Sequence, residues 1–456
     1  MNVIIVGCGQ VGKTLASRLG GDGNNVTVVD TNAARVRELV DKIDVMGVVG
    51  NGSSHTTLKD AGIGNADLLI AVTDSDELNL LCCILAKKSG SCRTIARVRD
   101  KELSQEVEYL KRELELAMVI NPELATAKEI ARVLRFPTAI SIEPFAKGLA
   151  ELIKFKLPQD SRIVGLSVKE TASRYKCDVL FCTVERGDVA YIPTGDFVFE
   201  PKDVISIVAS HENATEFFGH IGFRSHAIRD AIILGGGRVS EYLCNLFPPR
   251  EIKFKLIENS LPLCESLCTE LTHVTVVQGD YSDRELLEEE GILDADAFLS
   301  LSEDDEDNVL ASLYARTKEV KKVVTRINRI EFDGMIKHLD LDTVIYPKNI
   351  VADNIVRYVR ATSNTRGSNM ETLYNVIPGE VEACEFIVKE QSDVTGVPLS
   401  KLSLKKDILI AAIMRNGEVI IPRGQDEILP GDSVIIISRE TGLHDITDIL
   451  DVDAER

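Results

Sequence analysis

No stretch of this sequence stays apolar for the roughly eighteen residues that a membrane-spanning helix requires. The start, MNVIIVGCG, lacks the basic n-region of a secretory signal and meets its first glycine at residue 7. The expectation is a chain that neither spans nor crosses a membrane. Positive charge is also short, with 52 Lys and Arg against 72 Asp and Glu and a formal net charge of -20. Nucleic-acid binding rests on a basic surface that neutralises phosphates, so nucleic acid is not an expected partner. Cysteine is sparse, ten in 456 residues, which excludes a disulfide scaffold. The closest groupings, Cys82-Cys83 and Cys264/Cys268, have neither CxxC spacing nor a histidine at ligand distance. Buried thiols in a reducing cytoplasm follow. There is no GxSxG elbow and no HExxH. The seven histidines are scattered, and no cluster of His, Cys or Lys marks a pocket in the β-rich segments.

What is present is a soluble globular composition, 44% apolar and 27% charged, in a chain long enough for several cores. It is also present twice. VIIVGCGQVGKTLASRL at 3–19 returns as AIILGGGRVSEYLCNLF at 231–247, and the segment from Gly50 returns from Gly279. ARVRD at 96–100 aligns with TRINR at 325–329, and VERGDVAYIPTGD from 184 with MRNGEVIIPRGQD from 414. Order and spacing hold throughout, which marks a tandem duplication. Each copy begins with strand-length apolar runs alternating with helical stretches, the rhythm of a doubly wound parallel sheet. Each then changes to short strands, such as SRIVG, VLFCTVERGDVAYIP and DVISIVAS in the first copy, with a short helix at 168–175 and a turn at Arg186-Gly187-Asp188. The predicted fold is α/β: two Rossmann-like sheets, each followed by a small β-rich lobe. The lobes are placed at 1–136, 137–224, 225–362 and 363–456.

Gly7-x-Gly9-x-x-Gly12 follows the strand VIIV and opens the helix VGKTLASRL. The first glycine allows the tight turn, the second admits a pyrophosphate to the backbone, and the third lets helix pack on strand. The helix N-terminus then offers free amides to phosphate. Asp30 ends the next strand, eighteen residues beyond Gly12, where its carboxylate can take both ribose hydroxyls and repel a 2′-phosphate. The second copy reads Gly235-Gly236-Gly237-Arg238-Val239-Ser240 with Glu258 in place of Asp30. Serine is small enough for the third position, and Glu can reach as Asp does. Further cleft candidates follow the third and fourth strands: Gly50-Asn51-Gly52-Ser53, Gly279-Asp280, Thr73-Asp74-Ser75-Asp76-Glu77 and the acidic run Glu303–Asp307. These acids could cap helices or hold a divalent cation against phosphate, so the metal stays unknown. Asn79 and Asn308 occupy equivalent positions after them.

Hydride transfer would need a proton donor. Tyr314-x-x-x-Lys318 has dehydrogenase spacing, but its counterpart is Leu85/Ser89 and its glycine loop is of another type. Two nucleotide loops without visible chemistry read as a sensor, with an NAD-dependent oxidoreductase of unknown substrate as the alternative.

A chain carrying NVIIVGCGQVGKTLA, VTVVD, GNGSS, ADLLIAVTDSDELN and ARVRD in tandem copies resembles the KTN/RCK family of cytoplasmic regulators of potassium channels and transporters. The resemblance implies NAD(H) and/or ATP/ADP as ligands and a ring, expected to be a homotetramer, on the inner face of the plasma membrane. Its partner would be a membrane-embedded Trk-type potassium transporter. It implies contacts from Gly7, Gly9, Gln10, Val11, Gly12, Asp30, Asn51, Gly52, Thr73, Asp74, Asn79 and Arg97. In the second copy they fall on Gly235, Gly237, Arg238, Val239, Ser240, Glu258 and Asp280. Arg238 matches a phosphate-reaching arginine of some relatives, and Gln10 does not.

Overall fold

A computed structural model describes residues 1–451 apart from 91, 102, 104–105, 188, 224–227, 330–332, 340, 364–367, 378, 440–442 and 444. The first copy opens with β1 (Asn2–Val6), α1 (Gln10–Gly21), β2 (Asn25–Asp30), α2 (Ala33–Lys42), β3 (Met46–Val49) and α3 (His55–Asp60). It continues with β4 (Leu68–Ala71), α4 (Asp76–Ser89), β5 (Arg93–Arg97), α5 (Val107–Glu113), β6 (Met118–Ile120) and α6 (Pro122–Arg135). The six strands pair in parallel in the order β3-β2-β1-β4-β5-β6. β1 and β4 carry unbroken apolar runs because helices cover both faces of the sheet. The order reverses between β1 and β4, and that switch point opens the crevice beyond the carboxyl ends of the strands.

A small sheet follows: β7 (Ser141–Phe145), β8 (Ala150–Lys156), α7 (Val168–Tyr175), β9 (Leu180–Arg186), β10 (Val189–Tyr191), β11 (Val204–Ala209) and α8 (His211–His220). It is antiparallel in the order β10-β9-β11-β8-β7. The expected strand SRIVG is instead a run of turns, with Gly165 at φ +80° and the buried Ile163 plugging the lobe core. The lobe is completed by β7 and β8, whose proline and mixed alternation hide them in the sequence. The turn after β9 has Gly187 at φ +60°, and Asp188 of that reading lies outside the described residues.

The second copy repeats the plan. Its parallel sheet is built from β12 (Asp230–Leu234), α9 (Arg238–Asn245), β13 (Lys253–Glu258), α10 (Leu261–Glu270), β14 (Thr275–Gln278) and α11 (Arg284–Glu289). β15 (Ala297–Ser300), α12 (Asp305–Thr317), β16 (Lys322–Arg326), α13 (Asp333–His338), β17 (Thr343–Ile345) and α14 (Pro347–Ser363) complete it. The order β14-β13-β12-β15-β16-β17 matches the first sheet. The last sheet, β18 (Ser368–Ile377), β19 (Val381–Val388), β20 (Ile408–Arg415), β21 (Glu418–Ile420) and β22 (Ser433–Ser438), runs β18-β19-β22-β20-β21. The same ion pair braces both small sheets: Arg186 forks onto Asp203 at 2.8 Å, and Arg415 onto Asp432 at 2.8 and 2.7 Å.

Contacts gather the four sheets into two discontinuous units, residues 1–131 with 229–356, and 132–228 with 357–456. The divisions fall inside α6 and α14, and the lobe boundary expected at 224/225 lies outside the described residues. In the first unit the two parallel-sheet lobes meet through polar contacts. Arg18 pairs with Asp353, Lys101 with Glu241 and, at 2.6 Å, with Glu270, and Asn121 donates to the Tyr242 hydroxyl at 3.1 Å. In the second unit the two small sheets share one apolar core that includes Phe145, Leu152, Val208, Tyr374, Ala383 and Ile435. Among the described residues, no helix is long and apolar enough to cross a membrane.

Candidate functional site

The first glycine loop leaves β1 at Gly7, whose φ of +107° suits glycine, and a Cβ there would come within 3.0 Å of the Val72–Thr73 backbone. At Gly12 a Cβ would lie 1.8 Å from the Gly7 carbonyl, so only glycine lets α1 close onto the turn. Gly9 faces open space, which is where a phosphate could approach the backbone. Beside the loop is a cleft of about 450 Å³ lined by Gly7, Gly9, Gln10, Val11, Asp30, Asn51, Gly52, Thr73, Asp74 and Arg97. Val6, Val29, Val72 and Leu78 supply apolar wall, Gly50 joins it as the sequence suggested, and Thr31 and Arg35 line it without a sequence signal.

Asp30 is fixed by backbone. The Cys8 amide donates to its Oδ2 at 2.7 Å and the Asn32 amide to its Oδ1 at 2.8 Å, leaving lone pairs for a ligand. Burial, reinforced by the Asp30 charge, pushes the Cys8 thiol up to about 12, so it remains a neutral filler. Asn51 holds its own turn, accepting from the Ser53 amide and hydroxyl at 3.0 and 2.9 Å. Arg97 donates to the Thr73 carbonyl and, at 3.0 Å, to Asp74, which ties β5 to the rim of the cleft.

Two expected contact residues stand behind the cleft. Gly12 serves packing alone. Asn79 is fully buried and fully used: its Oδ1 accepts from the Thr73 amide and hydroxyl at 2.8 and 2.7 Å, and its Nδ2 donates to the Thr73 and Arg97 carbonyls. Asn308 repeats this clamp on Ser302 and Arg326. The acidic runs are structural in the same way. Ser75 and Asp304 cap α4 and α12, while Asp76 accepts from the Arg99 and Asp100 amides and Asp305 from those of Asn328 and Arg329.

The second copy departs from the first where it matters. Gly235 keeps the turn at φ +94°, and Ser240 at the third position donates to the Gly235 carbonyl at 2.6 Å. Glu258 is buried, and its carboxylate accepts from the Gly236 amide, the Ser260 amide and the Tyr281 hydroxyl at 2.7, 2.8 and 2.7 Å. Tyr281 stands where the first copy has Gly52, a position that lines the open cleft. Burial first, and then the Glu258 carboxylate, push the Tyr281 phenol up, so it remains a donor. The expected ribose acid is therefore buried and engaged by its own chain, accepting from the phenol and two amides. Asp280 is exposed and holds Ser282 by its amide and hydroxyl, both at 2.8 Å. Gly237, Arg238 and Val239 instead line a cleft of about 400 Å³ with Arg99, Glu123 and Glu303, at the junction with the first lobe. There Arg238 donates to the Arg99 carbonyl at 3.0 Å.

The dehydrogenase-like pair is engaged elsewhere. Tyr314 and Lys318 both donate to Glu288, at 2.7 and 2.8 Å, and with Arg284 they hold that carboxyl at about 2.

The TrkA-N domain model matches residues 3–122 and 231–347, and the TrkA-C domain model matches 152–222 and 384–451. Trk system potassium uptake protein TrkA homolog 1 of Methanosarcina mazei is 30% identical over 455 residues, covering 98% of this chain and 99% of the relative. Trk system potassium uptake protein TrkA of Halomonas elongata is 31% identical over 442 residues, covering 96% and 95%. Among solved structures, the GsuK RCK domain superposes with a TM-score of 0.62 at 17% identity, covering 97% of this chain and 93% of that one. The GsuK channel bound to NAD gives 0.62 at 17%, covering 100% and 79%. These two likenesses establish the fold.

Proposed function

This chain belongs to the TrkA family, and on that footing we propose that it is the nucleotide-sensing regulatory subunit of a membrane-embedded Trk-type potassium transporter. It works as a ring of four chains on the inner face of the plasma membrane, and it binds NAD(H), ATP or ADP without turning them over. The observation that carries this reading is the first-lobe cleft, where the Gly7–Gly12 turn, the open side of Gly9 and the anchored Asp30 converge on one space. That arrangement fits an adenosine ribose at Asp30 and phosphates at the start of α1. The relatives named for potassium uptake support the partner. The engagement of Tyr314 and Lys318 with Glu288 supports regulation over hydride transfer.

A regulator of this kind acts by differential affinity: the nucleotide favours one ring shape, and that shape favours one transporter state. The test is potassium flux in vesicles containing the cognate transporter and the full-length protein, with calorimetry on the same preparation. Saturable binding of NADH, ATP or ADP, nucleotide-dependent flux and a particle near four times the 50.1 kDa chain mass are expected. A stable monomer with nucleotide-insensitive flux would remove the reading.

A further inference from the structure

We propose that the first small lobe carries a binding site for a zinc-class divalent metal ion, formed by Cys177, Glu216 and His220. The sulfur, one carboxylate oxygen and one ring nitrogen all lie within 4.8 Å of one another, and Cys177 Sγ is 3.2 Å from His220 Nδ1. Three donors around one zinc ion stand about 3.3–3.8 Å apart, given bonds of about 2.0–2.3 Å, so small side-chain movements close the set. The elements deliver this geometry. Glu216 and His220 are one turn apart on α8 and share a face. Lys176 ends α7 in a left-handed cap at φ +51°, which turns the chain so that Cys177 meets the end of α8. Tyr175 stacks on the His220 ring at 6.0 Å and limits its orientation.

Donor chemistry selects the ion. A thiolate with an imidazole suits zinc and its borderline neighbours, whereas calcium and magnesium take oxygen ligands. Three protein donors leave a fourth position, and because Glu216 is exposed that position is open to water. Burial, and then the charges of Glu216 and Asp178, raise the Cys177 thiol; a bound cation reverses that balance, and the thiol proton leaves to solvent. Counted by sequence offset from the shared Arg186/Asp203 and Arg415/Asp432 brace, the second copy carries Lys406, Asp445 and Ile449 in place of the three donors.

Cys177 and His220 stand forty-three residues apart, so the sequence alone shows no such cluster. The test uses the full-length protein, loaded with zinc and desalted, with metal counted by mass spectrometry and cobalt substitution followed by absorbance. One zinc per chain is expected, with a thiolate-to-cobalt charge-transfer band. Both should be lost in Cys177→Ser and the zinc lost in His220→Gln, while Cys268→Ser, at an exposed cysteine, keeps both. Far-ultraviolet dichroism reports folding. Should the first two variants unfold, Glu216→Gln at the exposed position decides, with weaker zinc retention expected. No zinc on the wild-type protein, or equal zinc on folded Cys177→Ser or on Glu216→Gln, overturns the site.

Discussion

Replacing Asp30 with alanine should weaken nucleotide binding by about 1–3 kcal/mol, the cost of losing charge-assisted hydrogen bonds to a ribose. The Cys8 and Asn32 amides that hold Asp30 lie at the cleft edge, so part of that loss is disorder of the loop rather than of the ligand contact. Calorimetry on the variant reads the sum, and unchanged affinity would detach Asp30 from the ligand. Residues of this kind were legible in the sequence because glycine and aspartate at those spacings have few other uses. Tyr281 was not. The pattern Gly50-Asn51 repeats as Gly279-Asp280, but the third position changes from Gly52 to tyrosine, and only the folded chain places that ring on Glu258. Asn79 misled in the opposite sense. A buried amide with four partners and an amide facing a ligand have the same one-dimensional signature.

Elements carry their own test at the start of β16, where Lys322 is fully buried and pairs with Asp342 at 3.2 Å. Burial lowers the lysine below its ordinary 10.5, with Asp342 opposing. Between the folded value and 10.5 the unfolded chain binds more protons, so this group makes stability rise with pH in that alkaline window. Below the window both states are protonated and the folded state bears the cost of burying the charge. Lys322→Met alone strands Asp342. Replacing both partners, Lys322→Met with Asp342→Leu, is therefore expected to be neutral or stabilising near neutral pH, since apolar replacements of whole buried pairs commonly are. Its advantage should shrink as pH rises toward 10.5. Thermal unfolding of both proteins across pH measures it, and a pH-independent difference would contradict the argument. At this scale the parallel sheets were readable from uninterrupted Val and Ile runs. The antiparallel sheets were half readable, because β7 and β8 lack a clean alternation while Ser161–Gly165 imitates one.

Among the described residues, polar contacts link the parallel-sheet lobes of one unit and a shared apolar core links the small lobes of the other. The parallel-sheet lobes meet through Arg18, Lys101 and Asn121, groups that water and salt can reach. The small lobes share a dry core. Lys101→Ala should cost no more than about 1 kcal/mol, because exposed ion pairs contribute little. Added salt should loosen the same junction. Leu152→Asp should cost about 2–5 kcal/mol or more, since truncating a buried leucine alone costs that and a charge adds to it. Urea midpoints for the two variants separate these cases, and equal losses would mean that the junctions do not differ in kind. A nucleotide signal is then expected as movement between the parallel-sheet lobes, with the small lobes holding together.

The tyrosine seated on Glu258 sets the arithmetic of the dose–response curve. If the first-lobe cleft alone takes a dinucleotide, as proposed, the steepest Hill slope available to an assembly equals its number of chains rather than twice that. On the same proposal, the second loop, with Arg238 and Arg99 beside Glu123 and Glu303 at its mouth, would be left to a ligand recognised through phosphate rather than ribose. Two metabolites could then be read on separate scales by one polypeptide: one reports through saturation at Asp30, while the other shifts the midpoint without adding to the slope.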